Sequence, residues 1–340
     1  MKKYFAKLTQ WEYWPFSLFY FPVFFYYFWL SFKKRSFFFF SASNPRIEFG
    51  GMFGEKKSDI FDIIPQEFLP LTYLIDKGDL ESAKEKGKGL GFPLIVKPNI
   101  GERGAWVRKI DKLGELEAYC KECPVDFLIQ ELVDYPIELG VFYVRFPDNE
   151  KGHVTSIVRK NFLSVKGDGN HSIIELLSKN IRASLTADLE SDHLKKVGNN
   201  VPAKGEEVLI EPIGNHCRGT QFLNDNSQID VALSEAIDQL AKQIPELYFG
   251  RFDLRCQSYD DLKRLENFKI LELNGAGSEP GHIYQPGYSL FRAYQDIFWH
   301  LKVLADISEQ NKLNGVPYCS FSDGIKKWKD HRQYNRLLST

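Results

Sequence analysis

The chain has 340 residues and a formal net charge of −1. This length allows one large domain or two to three small ones, and the balanced charge lacks a basic footprint, so we expect no nucleic-acid partner. The five cysteines form an odd, scattered set that suits a reducing compartment better than a disulfide framework.

The N-terminal segment is strongly aromatic. Residues 14–32 read WPFSLFYFPVFFYYFWLSF and carry no charge, with basic residues on both sides. A helix of this length would be about 28 Å long, close to the thickness of the bilayer hydrocarbon. Pro15, Pro22 and the Tyr and Trp rings, which prefer the membrane interface, disfavour a spanning helix. We therefore predict that residues 1–35 form a monotopic or re-entrant anchor on a membrane surface. The alternative is an aromatic helix buried in a homodimer or against the body of the protein.

Strands and helices alternate along the rest of the chain. Strands are predicted at 36–42, 91–98, 106–110, 126–133, 141–146, 154–162, 207–213, 248–256 and 268–274. Helices are predicted over most of 58–90 and at 112–123, 172–185, 229–244 and 287–307. The glycines at 50, 51 and 54 indicate a loop. This pattern predicts an α+β protein with a small α/β region at 36–64, a main domain at 65–310 and a docked tail at 311–340.

The strongest candidate for chemistry lies on the last two strands. Asp253 and Arg255 are two residues apart, as are Glu272 and Asn274, so each pair shares one strand face. If the strands are neighbours, their oxygen ligands suit Mg²⁺ bridging nucleotide phosphates, and the guanidinium would stabilise a transferring phosphoryl group. The alternative is a surface strand with a charged outer face. The glycine-rich loop NGAGSEPG at 274–281 favours a site, because it can pass close to a ligand.

Two further segments could complete such a site. Lys97 ends an apolar strand beside the hairpin loop NIGERGA (99–105), where a lysine can pair with phosphate while loop amides cover it. QELVDYPIE (130–138) takes a strand into an irregular segment, whose free backbone groups can read an adenine edge. Each signal is weak alone, since a lysine at a strand end is usually solvated.

Together these segments resemble the ATP-grasp superfamily. FPLIVKPNIGERGAWVRKI, FLIQELV with Glu138, GRFDLR and ILELNGAGSEPG occur in its order and spacing. The sequence looks like the branch that contains D-alanine–D-alanine ligases, cyanophycin synthetase and ribosomal-protein glutamate ligases. VKGDGNHSIIELL (165–177) resembles a stretch of cyanophycin synthetase, and NHCRGTQ (215–221) resembles an arginine-glycine segment of the glutamate ligases. The resemblance covers roughly residues 65–307 and implies two α+β lobes that clasp ATP.

The resemblance also implies roles for individual residues. Lys97 and the loop Gly101–Gly104 would hold the phosphates. The adenine slot would be lined by Gln130, Glu131 and Val133, and the ribose would meet Glu138. Arg159 or Lys160 would reach the γ-phosphate, Arg218 the acyl-phosphate or substrate, and Arg255 the transferring group. The ligands of Mg²⁺, or of Mn²⁺ in its place, would be Asp253, Glu272 and Asn274.

Three departures from this branch concern the substrate. The phosphate loop carries Glu102 and Arg103 where D-alanine ligases are serine-rich, and the 257–267 connection is long and charged. The first 60 residues do not resemble the substrate-binding lobe of those ligases. D-alanine is therefore doubtful as a substrate, whereas ATP binding is unaffected.

The resemblance implies an ADP-forming ligase that activates a carboxylate as an acyl-phosphate and joins it to an amine. Both substrates would be small molecules, and the N-terminal segment motivates the hypothesis that one is lipid-linked. We expect the enzyme at the cytoplasmic face of the plasma membrane, where ATP is available. The alternatives are a small-molecule kinase on the same fold and a non-catalytic membrane scaffold that keeps the fold.

Overall fold

A computed structural model of the chain describes residues 11–102, 104–179, 183, 194, 197–211, 214 and 219–339. Its α-helices are α1 (Phe16–Lys34), α2 (Lys57–Asp62), α3 (Leu80–Leu90), α4 (Leu113–Glu122), α5 (Ile173–Lys179), α6 (Val231–Lys242), α7 (Tyr259–Lys263), α8 (Leu290–Leu313) and α9 (Phe321–Ser339). Its strands are β1 (Thr72–Ile75), β2 (Leu94–Pro98), β3 (Arg108–Ile110), β4 (Phe127–Glu131), β5 (Ile137–Val144), β6 (His153–Asn161), β7 (Ser164–Lys166), β8 (Glu207–Leu209), β9 (Gln221–Asn224), β10 (Phe249–Cys256) and β11 (Phe268–Asn274). The predicted α+β class is confirmed.

The smaller of the two main sheets has the strand order β1-β4-β2-β3, and all its pairs are antiparallel. Phe127 and Ile129 of β4 pack with Leu116 and Tyr119 of α4 in one buried core. Strand alternation turns Leu128 to the other side, into the core of the second sheet. The predicted hairpin of β2 and β3 is confirmed.

The larger sheet has the order β11-β10-β5-β6-β9 and is also antiparallel. Phe252 and Leu254 of β10 face a core that includes Leu233 and Ile237 of α6. The alternation therefore leaves Arg251, Asp253 and Arg255 together on the opposite face of β10.

Three predictions about local structure were wrong or incomplete. Residues 36–42 form no strand: Phe39–Ala42 is a 3₁₀ turn, whose phenylalanines pack on α8. A short apolar run fits either element, because its periodicity does not distinguish them. Within the segment predicted as mainly helical, Thr72–Ile75 is β1, paired with β4. The helix predicted at 172–185 is described as α5, and most residues beyond Lys179 lie outside the described part.

Helix α1 lies against α8 with one face and leaves the other exposed. Phe19, Val23 and Leu30 are buried, and the hydroxyl of Tyr294 in α8 donates to the carbonyl of Phe19 at 2.8 Å. Lys34 at the end of α1 forms ion pairs with Asp306 (3.0 Å) and Glu309 (2.7 Å). Within the described part of the chain, no helix combines the length and apolar character that crossing a bilayer requires.

The C-terminal residues form helix α9, which docks along the body of the protein. At its start, the ring of Phe321 contacts the rings of Phe37 and Phe38. At its end, the carbonyl of Leu338 accepts a 2.9 Å hydrogen bond from the indole of Trp106, just before β3. Helix α9 thus connects the end of α1 with the β2–β3 hairpin.

Candidate active site

The two main sheets meet at Lys97. This buried side chain on β2 donates to the side-chain oxygen of Gln130 on β4 at 3.1 Å. It also donates to the carbonyl of Leu271 on β11 at 2.9 Å. Leu271 is the extra residue where the β10–β11 register shifts, and such a bulge frees a backbone group from the ladder. One ammonium therefore ties the smaller sheet to the edge of the larger one.

The surroundings of Lys97 lower the pKa of its ammonium group. Burial lowers its pKa to about 8, and the positive charge of Lys57 acts in the same direction, against the opposing effect of Glu272. An anion close to the ammonium would favour the charged form. A phosphate group is therefore an effective partner for this side chain.

A chain of ion pairs continues across the larger sheet. Glu138 on β5 accepts from Arg255 on β10 at 2.8 Å and lies 3.1 Å from the ammonium of Lys160 on β6. That ammonium lies 3.6 Å from a carboxylate oxygen of Asp253. Burial tends to lower the pKa of Lys160, but Asp253 and Glu138 outweigh it and the pKa is raised. The network therefore keeps Lys160 charged in the interior.

Asp253 accepts hydrogen bonds from two neighbouring side chains. Arg251 donates to both of its carboxylate oxygens, at 2.8 and 3.0 Å, and Asn274 donates at 3.4 Å. Burial tends to raise the pKa of Asp253, but Arg251 and Lys160 lower it below the usual value. Gly140 on β5 makes room for this arrangement, because a Cβ there would lie 3.1 Å from Asp253 and 2.8 Å from Val158.

The N-terminal region contributes a further cation. Lys57, the first residue of α2, lies 3.3 Å from Glu272 and donates to the carbonyl of Gly101 at 2.8 Å. Its backbone is fixed by a hydrogen bond to the carbonyl of Asn99. Lys57 therefore connects the hairpin loop at 99–105 to the carboxylate of β11.

Most of the predicted site residues come together at this junction of the two sheets, which we call the cleft. The group comprises Lys97, Gln130, Glu138, Lys160, Asp253, Arg255, Glu272 and Asn274. Val133 joins through its carbonyl, which accepts from Arg255 at 2.8 Å. Gly101 and Gly104 lie in the adjoining loop, and Glu131 ends β4, where it is partly buried. Their predicted contacts with ATP stay predictions.

One predicted residue stands apart from this group. Arg159 lies on the face of β6 opposite to Lys160, half exposed, and pairs with Asp225 at 3.1 Å. Of the two candidates for the γ-phosphate, the cleft therefore contains Lys160. Arg218 lies outside the described residues, as does Arg103 in the loop.

The cleft contains three candidate ligands for a divalent cation. Asp253, Glu272 and Asn274 present the hard oxygens that Mg²⁺ prefers, and Asp253 and Glu272 are directly opposite in the β10–β11 register. Among the described residues, no three His, Cys, Asp or Glu side chains form a group that could hold a metal. Mg²⁺ at nucleotide sites commonly uses one or two carboxylates together with phosphate oxygens. These residues therefore fit a metal shared with a nucleotide.

Sequence reasoning missed three residues of the site. Arg251 could have been found, because the alternation that pairs Asp253 with Arg255 extends to it. Gly140 carried a weaker signal, since a glycine inside a strand often marks a close approach. Lys57 carried none, because only the docking of α2 on the hairpin brings it to Glu272.

Comparisons with known proteins find similarity at the level of structure. No family model and no curated protein matches the sequence. A bifunctional glutathione synthetase from Pasteurella multocida is 14% identical with a TM-score of 0.37, over 71% of this chain and 35% of that one. A D-alanine–D-alanine ligase from Bacillus anthracis is 14% identical with a TM-score of 0.42, over 76% and 69% of the two chains.

A third similar structure is the ATP-grasp ligase PsnB in complex with a minimal precursor. It is 16% identical with a TM-score of 0.37, over 73% of this chain and 60% of that one. The chain thus spans about a third of the glutathione synthetase and less than two thirds of PsnB.

Proposed function

We propose that this protein is an ATP-dependent ligase that joins a carboxylate to an amine through an acyl-phosphate. The observation that carries the proposal is the set of cations in the cleft: Lys57, Lys97, Lys160, Arg251 and Arg255 lie around the carboxylates of Glu138, Asp253 and Glu272. The carboxyl group of Glu55 also lies near Lys57. Five cations gathered in one place suit a polyphosphate. The resemblance of the motifs supports the choice of ATP and of ligation.

Each residue of the cleft has a proposed role in phosphoryl transfer. Lys97 and the loop that begins at Gly101 would hold the phosphates, and Lys160 would approach the γ-phosphate. Asp253, Glu272 and Asn274 would hold Mg²⁺, which would neutralise charge on the phosphates. Arg251 and Arg255 would stabilise the charge that develops during transfer. The cations now paired with Asp253 and Glu272 would then exchange part of these contacts for phosphate oxygens.

Two bond changes make up the reaction. A carboxylate oxygen of the first substrate attacks the γ-phosphorus, the bond to the β-phosphate oxygen breaks, and ADP leaves. The nitrogen of the second substrate then attacks the acyl carbon, the carbon–oxygen bond breaks, and phosphate leaves while the nitrogen loses a proton. Positioning and electrostatic stabilisation dominate phosphoryl transfer, and the fixed ion pairs of the cleft supply both.

The test is ADP and phosphate release by the full chain with MgATP, screened against pools of carboxylates and amines. Hydroxylamine is added in parallel, because it captures an acyl-phosphate as a hydroxamate. We expect ADP release that needs a carboxylate, and hydroxamate when the amine is left out. A phosphorylated product that accumulates without any amine acceptor would instead establish the kinase alternative. Failure of the folded protein to bind MgATP would support the scaffold.

We also propose that one substrate is lipid-linked and that the enzyme works at the cytoplasmic face of the membrane. The aromatic helix α1 supports this, because it reaches the site itself. The hydroxyls of Tyr20 on α1 and of Tyr284 bond to the carboxyl group of Glu279, and the carbonyl of Glu279 accepts from Arg251 at 3.3 Å. Turnover that is complete with water-soluble substrates and unaffected by lipid extract would contradict it.

A further inference from the structure

The exposed face of α1 is a continuous aromatic stripe. Phe21, Phe25, Phe28 and Phe32 are spaced so that they lie on one side of the helix, and their exposed fractions are 61, 62, 54 and 81%. The opposite side packs on the body through Phe19, Val23 and Leu30 (see above). A helix that is apolar all round is normally buried. The exposed stripe, with Phe24 and Trp29 beside it, therefore indicates an interaction surface.

Basic side chains stand at the end of this stripe. Lys33, Arg35 and Lys312 are exposed, and no ion pair joins any of them to another described residue. Lys33 lies 5.6 Å from the ring of Trp29, and Lys312 lies 4.4 Å from the ring of Tyr318. The neighbouring Lys34 differs, because Asp306 and Glu309 already neutralise it.

Arg35 and Lys312 line the same cavity, between the end of α1 and the start of α9. Its volume is about 500 Å³, and Phe37 and Phe321 also form part of its wall. The rings of Phe28, Phe37 and Phe321 are in successive contact. The aromatic stripe thus runs directly into a pocket with two cations.

We propose that this surface, the stripe of α1 with the Arg35–Lys312 pocket, docks the protein flat on a bilayer that contains anionic phospholipids. The rings would enter the interfacial layer, where aromatic side chains are favoured, and the pocket would take phosphate head groups. Packing of the other face of α1 along α8 holds the helix parallel to the surface of the protein. The cations, which form no ion pair with another described residue, favour an anionic bilayer over a second copy of the chain, because the identical basic rim of a second copy cannot neutralise them.

The experiment is co-flotation of the full chain with vesicles of phosphatidylcholine alone or with one quarter phosphatidylglycerol. The aromatic variant combines Phe21→Ser, Phe25→Ser and Phe28→Ser, and the basic variant combines Arg35→Gln and Lys312→Gln. Val231→Ser, at an exposed position of α6, is the control for loss of a surface apolar side chain. Thermal unfolding of each variant establishes that it is folded. All substitutions avoid the buried face of α1, which carries Tyr20.

We expect wild type and Val231→Ser to float with anionic vesicles. Both multiple variants should lose at least tenfold in partitioning, and salt should weaken wild-type binding because surface electrostatics are screened. Equal flotation of wild type and the folded aromatic variant would overturn the proposal. So would a wild-type dimer that ignores vesicles and becomes monomeric in the aromatic variant, since a second copy would then be the occupant. This proposal rests on the proposed membrane location and would fail with it, but neither result depends on ligase activity, so ATP-dependent ligation can stand while the docking fails.

Discussion

The cleft buries charged side chains, and the exposed face of α1 leaves phenylalanine rings in water; both placements are unfavourable. Among the described residues, only those of the cleft supply partners that offset this cost. In the cleft, charged side chains are buried, and Asp253 is matched by Arg251 and Lys160. On α1, phenylalanines face water, and nothing among the described residues covers them. Each buried charge of the cleft therefore depends on its neighbours until a ligand replaces some of them. The stripe has no partner among the described residues, and its proposed partner is the anionic bilayer.

The largest expected effect comes from breaking the compensation of the cleft. Asp253→Asn leaves Arg251 buried without its carboxylate and leaves Lys160 with Glu138 alone, and loss of one partner of a buried pair destabilises by about 3–5 kcal/mol. Urea unfolding measures the free energy of unfolding. Asp111→Asn is the control: its exposed pair with Lys109 should contribute at most about 1 kcal/mol. Equal effects of the two substitutions would show that the ion pairs of the cleft do not stabilise the fold.

Glu272→Gln tests the chemistry of the cleft. Glu272 is a third exposed, but it is the carboxylate that opposes the low pKa of the buried Lys97, so circular dichroism first establishes that the variant is folded at the assay temperature. ADP formation with the substrate pair found in the screen should fall about 100-fold or more, since removal of such electrostatic stabilisation is worth about 3 kcal/mol. Glu266→Gln, an exposed residue of the connection between β10 and β11, should keep full turnover. Normal turnover of Glu272→Gln would remove the assignment of this residue to the metal.

Gly140→Ala tests how closely the cleft is packed. The added Cβ would approach Val158 and Asp253 (see above), and overpacking of this kind destabilises by about 1–3 kcal/mol. Gly89→Ala is the matched control, because a Cβ there meets nothing within 4 Å and alanine favours the helix. In thermal unfolding, Gly140→Ala should have a lower melting temperature than the wild type, and that of Gly89→Ala should be unchanged or higher. No difference between them would mean that Gly140 is not needed for the Arg251–Asp253 pair.

The affinity for MgATP should depend on pH through Lys97. Its pKa of about 8 in the free protein means that the ammonium is charged below this value and loses its proton as the pH rises through it. Affinity should therefore fall by up to about tenfold per pH unit above pH 8. Nucleotide titrations from pH 7 to 9 measure this, and Lys97→Ala should bind more weakly at every pH with a flatter profile. An unchanged slope in that variant would place the titration elsewhere.

The smallest expected effect belongs to the aromatic stripe. Phe32→Ser should change the free energy of unfolding by no more than about 0.5 kcal/mol, as is usual at exposed positions. Leu30→Ala, on the buried face of the same helix, should destabilise by about 2–5 kcal/mol. Unfolding by urea in the absence of lipid measures both. A large loss of stability in Phe32→Ser would show that the stripe is covered within the protein.

Much of the architecture could be predicted from local patterns. The strands around Lys97, Gln130, Asp253 and Glu272 follow from short apolar runs or apolar alternation, which are properties of adjacent residues. The prediction failed at 36–42, because four successive phenylalanines suit a strand or a buried turn equally well. It also failed at Thr72–Ile75, whose strand depends on pairing with distant β4.

The sequence by itself determined which side chains share a strand face, because the two-residue period of a strand is local. It thereby placed Asp253 with Arg255 and Glu272 with Asn274. Only the tertiary structure decided that Lys160 rather than Arg159 enters the cleft, that Lys57 reaches Glu272, and that one side of α1 is covered while the other is bare. These outcomes depend on register, docking and the approach of two sheets, which are contacts between residues far apart in the chain.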